Sequence, residues 1–188
     1  MTVNATPETQ TTWTIDPAHT LVEFSTKHMM ITTVKGRFAD VQGTIVTDER
    51  DPAKSSAEVT IAAASLSTGT DGRDEHLRSA DFFDVEKFPS LTFRSKRIEG
   101  GSLTPGAAFT VVGDLTIRDV TKEVTLSATF EGAGTDPWGN EKASFAASTK
   151  VDRREFGLTW NAALETGGVL VSNDIRIAIE AQAVKAAA

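Results

Sequence analysis

Apolar and polar residues alternate with a period of two through most of the chain. In "FTVVGDLTI", Phe109, Val111, Gly113, Leu115 and Ile117 fall on one face and Thr110, Asp114 and Thr116 on the other, with Val112 the exception. "EVTLSATF" repeats the pattern, with Val124, Leu126, Ala128 and Phe130 set against Glu123, Thr125, Ser127 and Thr129. The short polar link from Arg118 to Lys122 makes the two runs an antiparallel hairpin. "NDIRIAIEA" places Ile175, Ile177 and Ile179 on one face, and "AEVTIAAA" does the same with Val59, Ile61 and Ala63. Further strands are predicted at Trp13–Ile15, Thr20–Thr26, Gly36–Asp48, Ser90–Glu99, Lys142–Val151 and Thr159–Leu164. One-sided alternation buries one face and wets the other. Many such strands with short turns make a sandwich or a barrel. A last strand over Val169–Ala181 is in position to close the sheet and remove its edges, which favours the barrel.

A single segment reads as helix. "TGTDGRDEHLRSADFF" offers Thr70 or Asp71 as N-cap, acids in the first turn, and Leu77 and Ala80 on one face. A helix this short is marginal alone and must pack on the barrel. Leu77, Phe82, Phe83 and Phe88 have no other apolar partner, and Pro89 ends the connection. Residues 1–12, rich in Thr, Glu, Pro and Gln, read as a disordered leader, and 184–188 as a frayed tail. One domain is expected over 13–183.

Composition narrows the function classes. The 188 residues include no cysteine, which excludes disulfides, thiolate metal sites and thiol catalysis. A net charge of -7 argues against nucleic acid or an anionic bilayer as main partner. The N-terminus has neither a basic n-region nor an apolar h-region, and no apolar run approaches the roughly 18 residues of a membrane span. A cytoplasmic protein without a membrane span is the expectation.

Candidate chemistry is sparse. His19, His28 and His76 have no metal-ligand spacing, so no metal or other cofactor is expected. His19 reads as the cap of a turn after Asp16–Pro17. His28 continues the face of Val22, Phe24 and Thr26 and is placed to point inward. No nucleophile elbow, P-loop or dinucleotide fingerprint is present, and no catalytic residue is assigned. Asp71 and Asp74 read as complements of the helix dipole. Arg73, Arg78, Arg153 and Arg154 have the chemistry to grip an anionic head group, but each taken singly reads as a surface ion pair. Small inward residues (Ala63, Gly113, Ala128) stand among Phe24, Phe38, Phe93, Phe109 and Phe130. That arrangement suits either an apolar slot or an ordinary packed core.

Taken together, the segments resemble the YceI-like, or polyisoprenoid-binding, family. The likeness runs from Trp13 to Ala183 and rests on four motifs in order. They are "WTIDPAHTLVEFSTKHMMITTVKGRF", "STGTDGRDEHLRSADFFDVEKFPSLTFRS", "VVGDLTIRDVTKEVTL" and "VDRREFGLTW". The resemblance implies an all-β fold: an extended eight-stranded antiparallel barrel, lipocalin-like, with a short helix near one end. It implies a long apolar tunnel that takes an isoprenoid chain, as in isoprenoid quinones or prenyl phosphates, or another long-chain lipid. A soluble carrier or store follows, in a family whose members often form homodimers and have no established catalytic residues. Alternation and this tunnel together nominate Phe24, His28, Met30, Phe38, Leu77, Phe82, Phe83, Phe93 and Trp160 as lining, and Arg73 and His76 as head-group contacts. Two alternatives stand beside it. One is an enzyme with His28 or His76 as general base beside Asp74 or Asp81. The other is a stress-related or interaction protein with a filled core.

Overall fold

The computed structural model describes residues 9–187. Among these, three long chain passes are each broken into two strands by a short turn: β1 (Gln10–Ile15) with β2 (Leu21–His28), β3 (Thr32–Phe38) with β4 (Val41–Asp48), and β5 (Ser56–Ala62) with β6 (Leu66–Ser67). Five single strands complete the sheet: β7 (Ser90–Glu99), β8 (Ala108–Ile117), β9 (Val120–Thr135), β10 (Glu141–Asp152) and β11 (Asp174–Lys185). All neighbours are antiparallel, in the order β1-β4-β5-β7-β8-β9-β10-β11, and β11 returns to β1. Eight passes therefore close into a barrel, as the alternation and the resemblance implied.

Closure falls on one strand. Ala183–Lys185 of β11 pairs with β1, and Arg176–Glu180 pairs with β2. Between the two, residues 16–20 loop outward but stay tied to β11: the Asp16 amide donates to the Gln182 carbonyl at 2.8 Å, and the Gln182 amide to the Thr20 hydroxyl at 3.3 Å. The breaks in the next two passes align with this one. The Ala39 amide donates to the Ser65 carbonyl, and the Ala62 amide to the Asp40 carbonyl. Beyond this crease β6 pairs only with β3, while β7 starts at Ser90 opposite Ala62. The seam left beside β6 is where α1 (Asp71–Arg78) and the connection to β7 pack.

That plug is stapled by its own charged residues. Arg78 donates from Nε to the Ala64 carbonyl and from Nη2 to the Leu66 carbonyl. Asp74 is buried and accepts from the Thr68 amide at 2.8 Å and from the Thr68 hydroxyl. Burial works to raise its pKa, and the hydrogen bonds from Thr68 and Ser67 together with the Arg78 charge outweigh this and leave it lowered. Asp74 is thus an anchor between helix and sheet, beyond the dipole role expected of it. Thr70 occupies the N-cap without a side-chain cap bond. Ala80 lies past the end of the helix and is exposed.

Several sequence boundaries shift. β1 begins at Gln10, inside the expected leader, because "QTT" pairs with Val46–Asp48 on β4 through threonines that suit a strand without signalling burial. The rest of that leader lies outside the described residues apart from Thr9. β11 runs on to Lys185, which pairs with Trp13, so the expected tail is partly strand. Thr159–Leu164 is not a strand. Asn161 bonds both the amide and the carbonyl of Val171 through its side chain, and the segment folds on itself around an isolated Ala163–Val169 bridge. The last strand correspondingly starts at Asp174 and not at Val169.

The β2–β3 hairpin turn places Met29 (φ 51°) and Met30 (φ 60°) in the left-handed region, with the Ile31 amide donating to the His28 carbonyl. Both side chains are exposed. Left-handed backbone is unfavourable for residues with a Cβ, and Asn-Gly is the favoured pair for such turns. The double variant Met29→Asn, Met30→Gly is therefore expected to gain about 1 kcal/mol of stability, measured as a higher urea midpoint with an unchanged slope.

Candidate functional site

The inward faces of the strands enclose a cavity of about 290 Å³. Its walls come from the positions that alternation assigns inward: Val22, Phe24 and Thr26 on β2, Val59 and Ile61 on β5, Val111, Leu115 and Ile117 on β8, Val124, Leu126 and Ala128 on β9, and Ile175, Ile177 and Ile179 on β11. Leu77, Phe82 and Phe83 of the plug meet it at one end. Gly100, Gly101 and Ser102 of the β7–β8 loop line the opposite end and are exposed, so the cavity reaches the surface there.

Glycines set its width. A Cβ on Gly36 would lie 2.3 Å from the Phe24 ring, and one on Gly113 would lie 2.6 Å from the Phe93 ring. The rings occupy the recesses that the missing side chains leave. The expected slot is made in this way: small inward residues recess the large ones and keep the axis clear. At the plug, Phe83 meets Phe38 edge-on with centroids 5.7 Å apart, and Phe38 is 5.4 Å from Phe24.

Of the nominated lining residues, Phe24, Phe38, Leu77, Phe82, Phe83 and Phe93 face the cavity. Met30 does not. It is 62% exposed, because the left-handed turn ends the alternation that nominated it. His28 is half-buried at the end of β2, bridged to Val171, and outside the lining. Trp160 stands behind the wall, 5.5 Å from Phe82 and 4.6 Å from His76. His76 packs edge-on against both rings, and its Nε2 is 2.8 Å from Asp81 Oδ2. Arg73 is exposed and engaged with the helix entry, from Nε to the Thr68 hydroxyl and from Nη2 to Thr68 and Thr70. Neither Arg73 nor His76 touches the cavity, so the nominated head-group contacts belong to the plug's outer face. His19 bonds Asp16 at 2.8 Å, and Asp16 is the residue that caps that turn.

The charged residue that does line the cavity is Arg153. "DRREFG" builds it locally. Asp152 caps the turn Arg153–Phe156 by accepting from the Arg154 amide, and Gly157 (φ 79°) closes the turn. Arg153 is buried, and its guanidinium donates to the Leu158, Trp160 and Ser172 carbonyls at 2.7–3.0 Å. Two longer contacts of 3.4 Å run from Nη2 to the Val171 carbonyl and to Asn173 Oδ1. The sequence concealed this role, since an arginine beside aspartate reads as a surface pair. The aspartate in fact pairs with Arg154 at 2.6 Å, which leaves Arg153 to the interior.

The family model described as a YceI-like domain matches residues 13–183. A UPF0312 protein of Serratia proteamaculans is 38% identical over 168 residues, covering 89% of this chain and 82% of that protein. The YCEI protein of Campylobacter jejuni superposes with a TM-score of 0.71 at 32% identity, over 86% of this chain and 90% of that one. A polyisoprenoid binding domain from Saccharophagus degradans has a TM-score of 0.70 at 15% identity, covering 93% and 98%, and so shares the fold.

Two outcomes test this geometry. Gly36→Ala is expected to destabilise the protein by about 1–3 kcal/mol through overpacking, and to cost much less in a Phe24→Leu background, as urea midpoints of the two pairs would show. The Arg154 hydrogen bond lowers the Asp152 carboxyl from its ordinary 3.8 to about 2. A carboxylate whose folded pKa is depressed stabilises the fold above its unfolded pKa, and that contribution is lost as pH falls from 3.8 through about 2. Asp152→Asn is expected to flatten the stability profile across that window in acid unfolding followed by circular dichroism.

Proposed function

The chain belongs to the YceI-like family, and on that premise we propose that its barrel binds a long apolar isoprenoid lipid and acts as a soluble carrier or store for it. The observation that carries this reading is the lining: aliphatic and aromatic side chains run from the plug to the opposite rim, with Arg153 as the single charged residue among the described ones that line it. Each buried CH₂ contributes about 0.8 kcal/mol, so a methyl-branched chain gains affinity along its length with few polar contacts. The name of the Saccharophagus degradans domain supports isoprenoid chains as the ligand class. Phe24, Phe38, Leu77, Phe82, Phe83 and Phe93 are the proposed chain contacts. Among the described residues no helix is long and apolar enough to cross a membrane.

A catalytic role has less support. The histidine–carboxylate pair His76–Asp81 stands outside the cavity, and neither His19 nor His28 lines it. General base catalysis needs the base within hydrogen-bond reach of the substrate proton.

Native mass spectrometry of protein purified without detergent, then incubated with polyprenyl lipids, is expected to show a one-to-one adduct. A spectrum that stays ligand-free throughout would sink the carrier reading.

A further inference from the structure

Arg153 holds a buried positive charge that makes no direct ion pair, although Asp152 next to it in sequence acts on it through space. The nearest carboxylate in sequence, Asp152, is taken up by Arg154, which reaches it through Nε and Nη2 at 2.6–3.1 Å. No ion pair to Arg153 within 4.0 Å is present among the described residues. Its partners are carbonyl dipoles and one side-chain amide oxygen. Burial depresses its pKa, so the site disfavours the isolated cation. Nη2 makes only the two contacts at 3.4 Å and is the donor with capacity to turn to a stronger acceptor. Nothing else with a charge lines the cavity among the described residues.

Resting on the lipid-binding reading, we infer that Arg153 recognises an oxygen acceptor on the head of the bound chain, a quinone carbonyl or a phosphate oxygen. The head then sits at the Leu158–Val171 end of the cavity, beside the plug, and the chain runs toward the rim formed by Gly100–Ser102. Binding is head-inward. Arg153 keeps its bonds to Leu158, Trp160 and Ser172, which fix the guanidinium plane while Nη2 exchanges its weak contacts for the ligand oxygen.

The experiment compares three probes of matched isoprenoid length on the intact chain: a hydrocarbon such as squalene, a prenyl quinone and a prenyl monophosphate. A charge-assisted hydrogen bond predicts that at least one headed probe binds about tenfold or more tighter than the hydrocarbon. Preference for both headed probes assigns any oxygen acceptor, and preference for the phosphate alone assigns an anion. Both outcomes support Arg153 as the contact if the preference collapses in Arg153→Lys while squalene affinity is retained. Equal affinity for all three probes overturns the inference and leaves the lipid-binding reading standing. Binding of none overturns both. A preference that survives in folded Arg153→Lys also overturns the assignment to Arg153, and the wild-type comparison alone keeps the inference open to refutation if the variant fails to fold.

Discussion

The pairing of β11 on both edges is the constraint on which the rest depends. A hollow barrel has no packed centre to hold its walls apart, so the walls must be held by their own ladders. β11 pairs with β10 along its whole length, from Lys142–Val184 to Asp152–Asp174. Its other edge is divided between β1 and β2. With that edge occupied the sheet exposes no unpaired strand across the closure, which removes the commonest site of edge-to-edge association. Ala183 is fully buried where β11 meets β1, with Trp13 and Ala143 in the same cluster. A larger residue there would hold the closing strands apart.

The price of a hollow interior is paid at its ends. At the plug the wall is interrupted, and aromatic rings seal the gap: Phe83 on Phe38, Phe82 on Trp160 and His76. Charged residues hold the seal without facing the lipid-like interior. Arg78 and Asp74 bind the backbone of the Ala64–Thr68 segment, and Arg73 binds beside them. In each case a side chain satisfies backbone groups that the broken ladder leaves unpaired. Arg153 does the same for the Leu158–Asn173 segment, and differs in being one of the residues that line the cavity.

Much of this was legible from periodicity. Alternation assigns positions 109, 111, 115 and 117, then 124, 126 and 128, then 175, 177 and 179 inward, and all line the cavity, whereas Phe130 and Ala63, expected on the same faces, pack into the core outside the lining. Periodicity failed where the backbone left the extended region. Continuing the β2 count places Met30 inward, but two left-handed residues reverse the chain there. Trp160 belongs to an expected strand that is instead a loop closed by Asn161. Arg73 and His76 are nominated as the polar residues of a helix laid over the tunnel, which does not say which side of the wall their side chains occupy.

The sequence by itself determined the inner face of the sheet, because strand alternation is local and a one-residue slip would expose every inward side chain, while its four motifs carried the family resemblance and, through it, the barrel. Only the tertiary structure decided whether that face encloses space. The answer turned on contacts between residues distant in sequence or across a strand pair: Phe24 lying over Gly36, Phe93 over Gly113, and the plug phenylalanines meeting Phe38. The same is true of Arg153. Its neighbours in sequence are acids and another arginine, whereas its partners are carbonyls up to 19 residues away, brought round by a loop whose path no local pattern encodes.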